Sequence, residues 1–126
     1  MNRKRILIIE DNKDICDLLV ARIRRWGFEA TGVHDGRTGL EMAHQERPDL
    51  IVLDLRLPKL PGEEVCRQIR KSEDIKNTPI IMETGKVSDA DKVIGRVIGA
   101  DCYLRKPYTS EQLHEQIERL LSPKTS

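Results

Sequence analysis

Short runs of aliphatic residues alternate along this chain with longer stretches in which apolar positions recur at helical spacing. Residues 5–9, Arg-Ile-Leu-Ile-Ile, are compact and β-branched, the pattern of a buried strand. Asp11 and Asn12 then supply N-cap chemistry for a helix whose Ile15, Leu18, Leu19, Ile23 and Trp26 repeat at helical spacing. Gly27 stands where a helix C′ glycine belongs, and residues 28–33 form a second strand. Residues 36–47 predict a short helix carrying Leu40 and Ala43 inward and ended by Pro48. Residues 49–53, Asp-Leu-Ile-Val-Leu, are the clearest buried strand. Pro58, Pro61 and Gly62 make a loop, and residues 63–71 are helical, burying Val65 and Ile69. A fourth strand covers residues 79–82. Ser88 or Asp89 caps a further helix showing Val93, Ile94, Val97 and Ile98, which Gly95 weakens by about 1 kcal/mol relative to alanine. Residues 101–105 are the fifth strand, and residues 110–121 close the pattern as a helix with Leu113, Ile117 and Leu120 on one face.

Strand followed by helix, five times over, predicts an α/β fold with a parallel sheet covered on both faces. Right-handed crossovers make an open, doubly wound sheet its natural arrangement. Residues 1–121 are expected to form one domain, with residues 122–126 a tail or the start of a linker.

Composition narrows the functional classes. At 126 residues the chain has the length of one domain that buries a core without staples. Twenty-two Lys and Arg against 21 Asp and Glu give a formal charge of +1, without the basic excess of a dedicated nucleic-acid module. The aliphatic start is too short for a signal peptide, and nothing approaches the roughly 18 apolar residues of a membrane span. Cys16, Cys66 and Cys102, odd in number and without metal-like spacing, read as reduced packing residues of a cytoplasmic protein.

The chemistry-bearing residues stand where strands end. Glu10 and Asp11 follow the first strand, Asp54 the third, Thr84 the fourth and Lys106 the fifth. In doubly wound sheets the carboxyl ends of the strands form the ligand-binding edge. Each of these residues alone reads as a solvated cap, but five at successive places around one edge do not. If strands one and three are neighbours, Glu10, Asp11 and Asp54 converge, and their repulsion calls for a divalent cation. All-oxygen ligands of this kind suit Mg²⁺. Lys106 adds a compact positive charge.

Four motifs in order carry a resemblance: Ile8-Ile9-Glu10-Asp11, Asp54-Leu-Arg-Leu-Pro58-Lys-Leu-Pro-Gly62, Pro79-Ile-Ile-Met-Glu-Thr84, and Tyr103-Leu-Arg-Lys106-Pro107. Over residues 4–121 the sequence resembles the receiver domain of two-component response regulators, CheY-like proteins of flavodoxin-like (βα)5 fold. The resemblance implies a strand order of 2-1-3-4-5. It implies that Asp54 accepts a phosphoryl group from the phosphohistidine of a sensor histidine kinase or phosphotransfer protein. Asp11 would ligate Mg²⁺ directly and Glu10 through water, with Asp54 and the Arg56 backbone carbonyl completing the protein ligands. Lys106 would neutralise the phosphoryl charge, and Thr84 would donate its hydroxyl to a phosphoryl oxygen. Tyr103 would turn inward as Thr84 moves, and a cis bond between Lys106 and Pro107 would aim the lysine.

The expected function is therefore a cytoplasmic signalling switch of a phosphorelay, with no enzymatic activity beyond its own phosphorylation and dephosphorylation. Phosphorylation would alter the face made by the last two helices and the fifth strand. A downstream target protein or a C-terminal output domain would read it, with no nucleic acid bound directly by this chain and no membrane insertion. Arg56 and Lys86, two residues beyond Asp54 and Thr84, predict slow autodephosphorylation. Glu83 departs from the family pattern, in which an apolar residue precedes the threonine. It points outward, pairs with a neighbouring cation, or disturbs the switch, and it is the feature that favours the alternative of a non-phosphorylated pseudo-receiver acting as a protein-binding module. A flavin- or nucleotide-binding domain lacks its glycine-rich phosphate loop here. A dehalogenase-type phosphatase would want an acid where Arg56 stands. His34, His44 and His114 are expected to be solvated.

Overall fold

The computed structural model describes residues 3–85 and 99–122. They form β1 (Arg5–Ile9), α1 (Lys13–Arg25), β2 (Glu29–Val33), α2 (Gly36–Glu46), β3 (Leu50–Asp54), α3 (Gly62–Arg70), β4 (Ile80–Thr84), β5 (Cys102–Arg105) and α4 (Ser110–Leu121). The five strands pair in parallel in the order β2-β1-β3-β4-β5. The fold is thus the flavodoxin-like, doubly wound sheet that the sequence implies. The helix expected to open at Ser88 or Asp89, with Gly95 and Lys86, lies outside the described residues.

Each helix begins and ends for local reasons. The Asn12 side chain accepts from the Ile15 amide and Asp35 from the Thr38 amide, satisfying donors that a helix start leaves open. Thr109 and Gln112 form a capping box at the start of α4. Gly27, at φ +98°, ends α1 in the backbone region expected of a C′ glycine.

Alternation along the strands sorts the core into two layers. Leu7, Ile9, Ile51, Leu53, Ile80 and Met82 face α2 and α3 with Ala43, Val65 and Ile69. Ile6, Ile8, Leu50, Val52, Ile81 and Leu104 face α1 and α4 with Leu19, Ile23, Leu113 and Ile117. Cys16 and Cys66 are buried, Cys102 is half-buried, and all three are free thiols, in keeping with packing roles. Burial pushes the Cys16 and Cys66 thiols up to about 11, so both stay protonated.

The helical stripe predicted for α1 is broader than the face it buries. Cys16, Leu19 and Ile23 are buried, whereas Ile15 and Leu18 are 41% and 56% exposed. Spacing places all of them on one broad side of the helix, but only its centre meets the sheet. Two histidines also do more than meet water. His114 stacks on Trp26 at 4.2 Å and 5°, joining α4 to the end of α1, and His44 lies 3.0 Å from Asp74.

Gly62 sets the distance between α3 and the end of β3. Its amide donates to the Leu55 carbonyl at 3.0 Å, and a Cβ there would collide with the Asp54 carbonyl oxygen. Gly62→Ala is expected to cost about 2 kcal/mol, the scale of forced backbone shifts in a packed site. Urea unfolding checks this, and an unchanged midpoint would mean that the close approach carries no strain.

Candidate phosphoryl-acceptor site

One face of the sheet delivers four charged side chains to the same edge. Ile8, Val52, Ile81 and Leu104 all belong to the core layer facing α1 and α4. Two residues further along each chain segment come Glu10, Asp54, Glu83 and Lys106. With a side-chain period of two, they continue the same layer past the core. β1, β3, β4 and β5 are successive neighbours, and Asp54 and Glu83 are direct register partners. Thr84 is buried and follows Met82 on the opposite parity.

Lys106 is the centre of the arrangement. Its Nζ donates to Glu10 Oε1 at 2.9 Å and to Asp54 Oδ2 at 3.1 Å, and it lies 3.9 Å from Glu83 Oε1. Glu10, Asp54 and Glu83 are 1%, 6% and 0% exposed. The remaining oxygens of the first two are also engaged. Glu10 Oε2 accepts from the Asn12 amide and Asp54 Oδ1 from the Arg56 amide, each at 3.0 Å. Glu83 Oε2 accepts from the Tyr108 hydroxyl, while Glu83 Oε1 is buried without a hydrogen-bond partner among the described residues. The peptide bond between Lys106 and Pro107 is cis.

These surroundings separate the acids electrostatically. Burial drives Glu83 up to about 7, against the opposing pull of Tyr108 and Lys106. Burial also raises Asp54, reinforced by the charge on Glu10 and only partly offset by the Arg56 amide and Lys106. For Glu10, burial pushes upward but the Asn12 amide and Lys106 outweigh it, so its carboxyl lies below the ordinary range. Burial disfavours the Lys106 ammonium, but Glu10, Glu83 and Asp54 together raise it well above its ordinary value.

The sequence-predicted residues fall into two groups. Glu10, Asp54 and Lys106 meet directly, with Thr84 buried at the end of the neighbouring strand. Asp11 and Arg56 are exposed and line an open crevice of about 500 Å³ with Leu57, Pro58 and Glu63. Tyr103 is half-buried against the layer facing α2 and α3. Lys86 lies outside the described residues. His34, His44 and His114 take no part in the cluster of acids and Lys106.

Glu83 is where the structure decides among the three courses open to it in sequence. It turns inward, its carboxylate reaching the ammonium of Lys106 and the hydroxyl of Tyr108. Tyr108 itself was not singled out by its sequence. The signal for Glu83 was its place two residues after the core residue Ile81, the same offset that leads from Val52 to Asp54.

The all-oxygen donors around Asp11, Asp54 and Glu10 fit a hard divalent cation. Ligand atoms of Glu10, Asp54 and Glu83 lie within 4.8 Å of one another, but Lys106 already places its ammonium among them. The edge carrying Asp11 and Arg56 is the side left open to an ion.

Comparison with known proteins agrees with this geometry. The chain is 40% identical over 121 residues to the alkaline phosphatase synthesis transcriptional regulatory protein PhoP of Bacillus subtilis (strain 168), covering 96% of this chain. It spans 49% of that relative's length. Among solved structures, the Vibrio cholerae chemotaxis protein CheY4 is similar at a TM-score of 0.90 and 30% identity, over 94% of this chain and 99% of that one. The receiver domain of the sensor histidine kinase PA1611 from Pseudomonas aeruginosa PAO1, described with a magnesium ion coordinated in its active-site cleft, is similar at a TM-score of 0.87 and 31% identity. That match covers 96% of this chain and 98% of that one. The family model for the response regulator receiver domain matches residues 6–118, and the chain belongs to that family.

Proposed function

We propose that this chain is a phosphorylation-dependent switch in which Asp54 accepts a phosphoryl group from the phosphohistidine of a histidine kinase or phosphotransfer protein. The observation that carries this reading is the Lys106 ammonium, held 3.1 Å from Asp54 Oδ2 and 2.9 Å from Glu10 Oε1. A carboxylate oxygen of Asp54 attacks phosphorus, the P–N bond to the imidazole breaks, and an aspartyl phosphate results. Lys106 sits where charge gathers on the transferring group, and the Arg56 amide orients the Asp54 carboxylate. Thr84 offers its hydroxyl to a phosphoryl oxygen, and Tyr103 moves with it. Asp11, Asp54 and the Arg56 carbonyl would hold Mg²⁺, with Glu10 acting through water. When bound there, the ion would supply neutralisation of phosphoryl charge.

The face formed by β5 and the helices beside it then changes its population of states, and a downstream protein or an output domain of the same polypeptide reads the change. No described helix is long and apolar enough to cross a membrane. Exposed Arg56, together with Lys86, is proposed to slow loss of the phosphoryl group. A cytoplasmic location accords with a phosphohistidine donor.

Intact-protein mass after incubation with acetyl phosphate tests the reading. One added phosphoryl group is expected, requiring Mg²⁺ and disappearing in Asp54→Asn. Glu83 supports a second reading, a receiver-like binding module that is never phosphorylated, because it puts a third buried acid beside the acceptor. Absence of the adduct, even with a phosphorylated kinase as donor, would replace the switch by that module.

A further inference from the structure

Glu83 has no task in the phosphoryl chemistry proposed above, yet it is fully buried within the site. Its Oε2 is fixed by the hydroxyl of Tyr108, which immediately precedes the Thr109 cap of α4. Its Oε1 has no hydrogen-bond partner among the described residues. A carboxylate oxygen left without a donor in a dry interior is costly, so its surroundings should compensate it. Among the described residues, the compensating charge in reach is Lys106, 3.9 Å away. An ammonium carries three N–H donors. Glu10 and Asp54 take two of them at 2.9 and 3.1 Å. A small movement of Nζ brings the third onto Glu83 Oε1.

We infer that Glu83, held in place by Tyr108, is a positioning residue that tethers the Lys106 ammonium among the acids and restrains it from following a phosphoryl group onto Asp54. This rests on the phosphoacceptor role proposed for Asp54. As a phosphoryl group arrives, the contact between Lys106 and Asp54 Oδ2 must give way to one with a phosphoryl oxygen. Glu10 alone would leave the ammonium free to pivot toward that oxygen. Glu83 provides a competing acceptor within the protein, so the lysine's contribution to transfer is reduced. It also sets another acid directly opposite Asp54 in the sheet register.

Two readouts separate a tether from a merely structural acid. Glu83→Gln removes the charge but keeps an acceptor for Tyr108, whereas Glu83→Leu removes both the charge and the acceptor. With acetyl phosphate and saturating Mg²⁺, both variants are expected to take up the phosphoryl group several-fold faster than the unmodified protein. In the absence of phosphodonor, the Lys106 ammonium signal in ¹H–¹⁵N spectra, assigned with Lys106→Arg, should exchange with water several-fold faster in both. Tyr108→Phe should shift both readouts in the same direction, and add nothing in the Glu83→Leu background. Faster uptake with unchanged ammonium exchange would overturn the tether, as would faster exchange with unchanged uptake. If even the unmodified protein takes up no phosphoryl group, the switch reading fails, and ammonium exchange decides the tether alone: faster exchange in Glu83→Gln sustains it, and unchanged exchange overturns it.

Discussion

Lys106→Met is expected to lower the stability of the protein by about 3–5 kcal/mol at pH 7, the scale on which removal of one partner from a buried ion pair acts. The ammonium is the counter-ion of Glu10 and Asp54, which are 1% and 6% exposed, and it faces Glu83, which is 0% exposed. Methionine occupies a similar volume, so the loss reports charge rather than a cavity. Without the cation the acids must either repel one another in a dry site or take up protons. Acidification to about pH 4.5 should therefore return part of the lost stability, because protonated carboxyls need no counter-ion. Urea unfolding at the two pH values checks this. A loss below about 1 kcal/mol at pH 7 would place the pair among solvent-screened ion pairs and remove Lys106 as the organiser of the site. The same variant should take up phosphoryl groups far more slowly than the unmodified protein.

The second large effect is a pH dependence carried by Glu83. Its carboxyl is pushed from an ordinary 4.5 up to about 7, first by burial, with Tyr108 and Lys106 opposing the shift. Between these values the unfolded chain has released a proton that the folded protein retains. Stability then falls as pH rises from about 4.5 to about 7, and the contribution levels off outside that window. The total is about 3 kcal/mol. Asp54, also raised, contributes with the same sign. Glu10, whose carboxyl is lowered, contributes with the opposite sign and loses stability as pH falls. The difference between the unmodified protein and Glu83→Gln reports the Glu83 part together with the changes its removal causes in Glu10 and Lys106. Unfolding free energies from pH 4 to 8 in the absence of Mg²⁺ should give a difference that changes by that amount across the window. A difference flat with pH would show that Glu83 binds its proton in the fold as it does in the unfolded chain, with Lys106 and Tyr108 fully offsetting its burial.

These expectations mark how much of the site lies in linear order. Asp54, Glu10, Asp11, Thr84 and Lys106 are legible because each follows an aliphatic run, and a parallel sheet gathers the ends of such runs at one edge. Tyr103 and Arg56 enter only through the resemblance of their motifs. Glu83 is legible as an anomaly, an acid at the end of the strand that begins Pro79-Ile80-Ile81-Met82, but not as a neighbour of Tyr108, because 25 residues separate the two in sequence. Likewise, Ile15 and Leu18 have the spacing of core residues, and only the width of the contact with the sheet leaves them exposed.

By itself, the sequence determined the alternation of strands and helices, their caps, and the set of acids and the lysine available at strand ends. Those properties are local: periodicity of two or of 3.6, a side chain reaching a nearby amide, a glycine at positive φ. Only the tertiary structure decided which of those groups share one cation. That depends on β1, β3, β4 and β5 lying side by side in a register that sets Asp54 opposite Glu83, so that side-chain parity puts Glu10, Asp54, Glu83 and Lys106 on the same face. Burial then supplies what no local pattern contains, a low-dielectric setting in which three acids compete for the Lys106 ammonium.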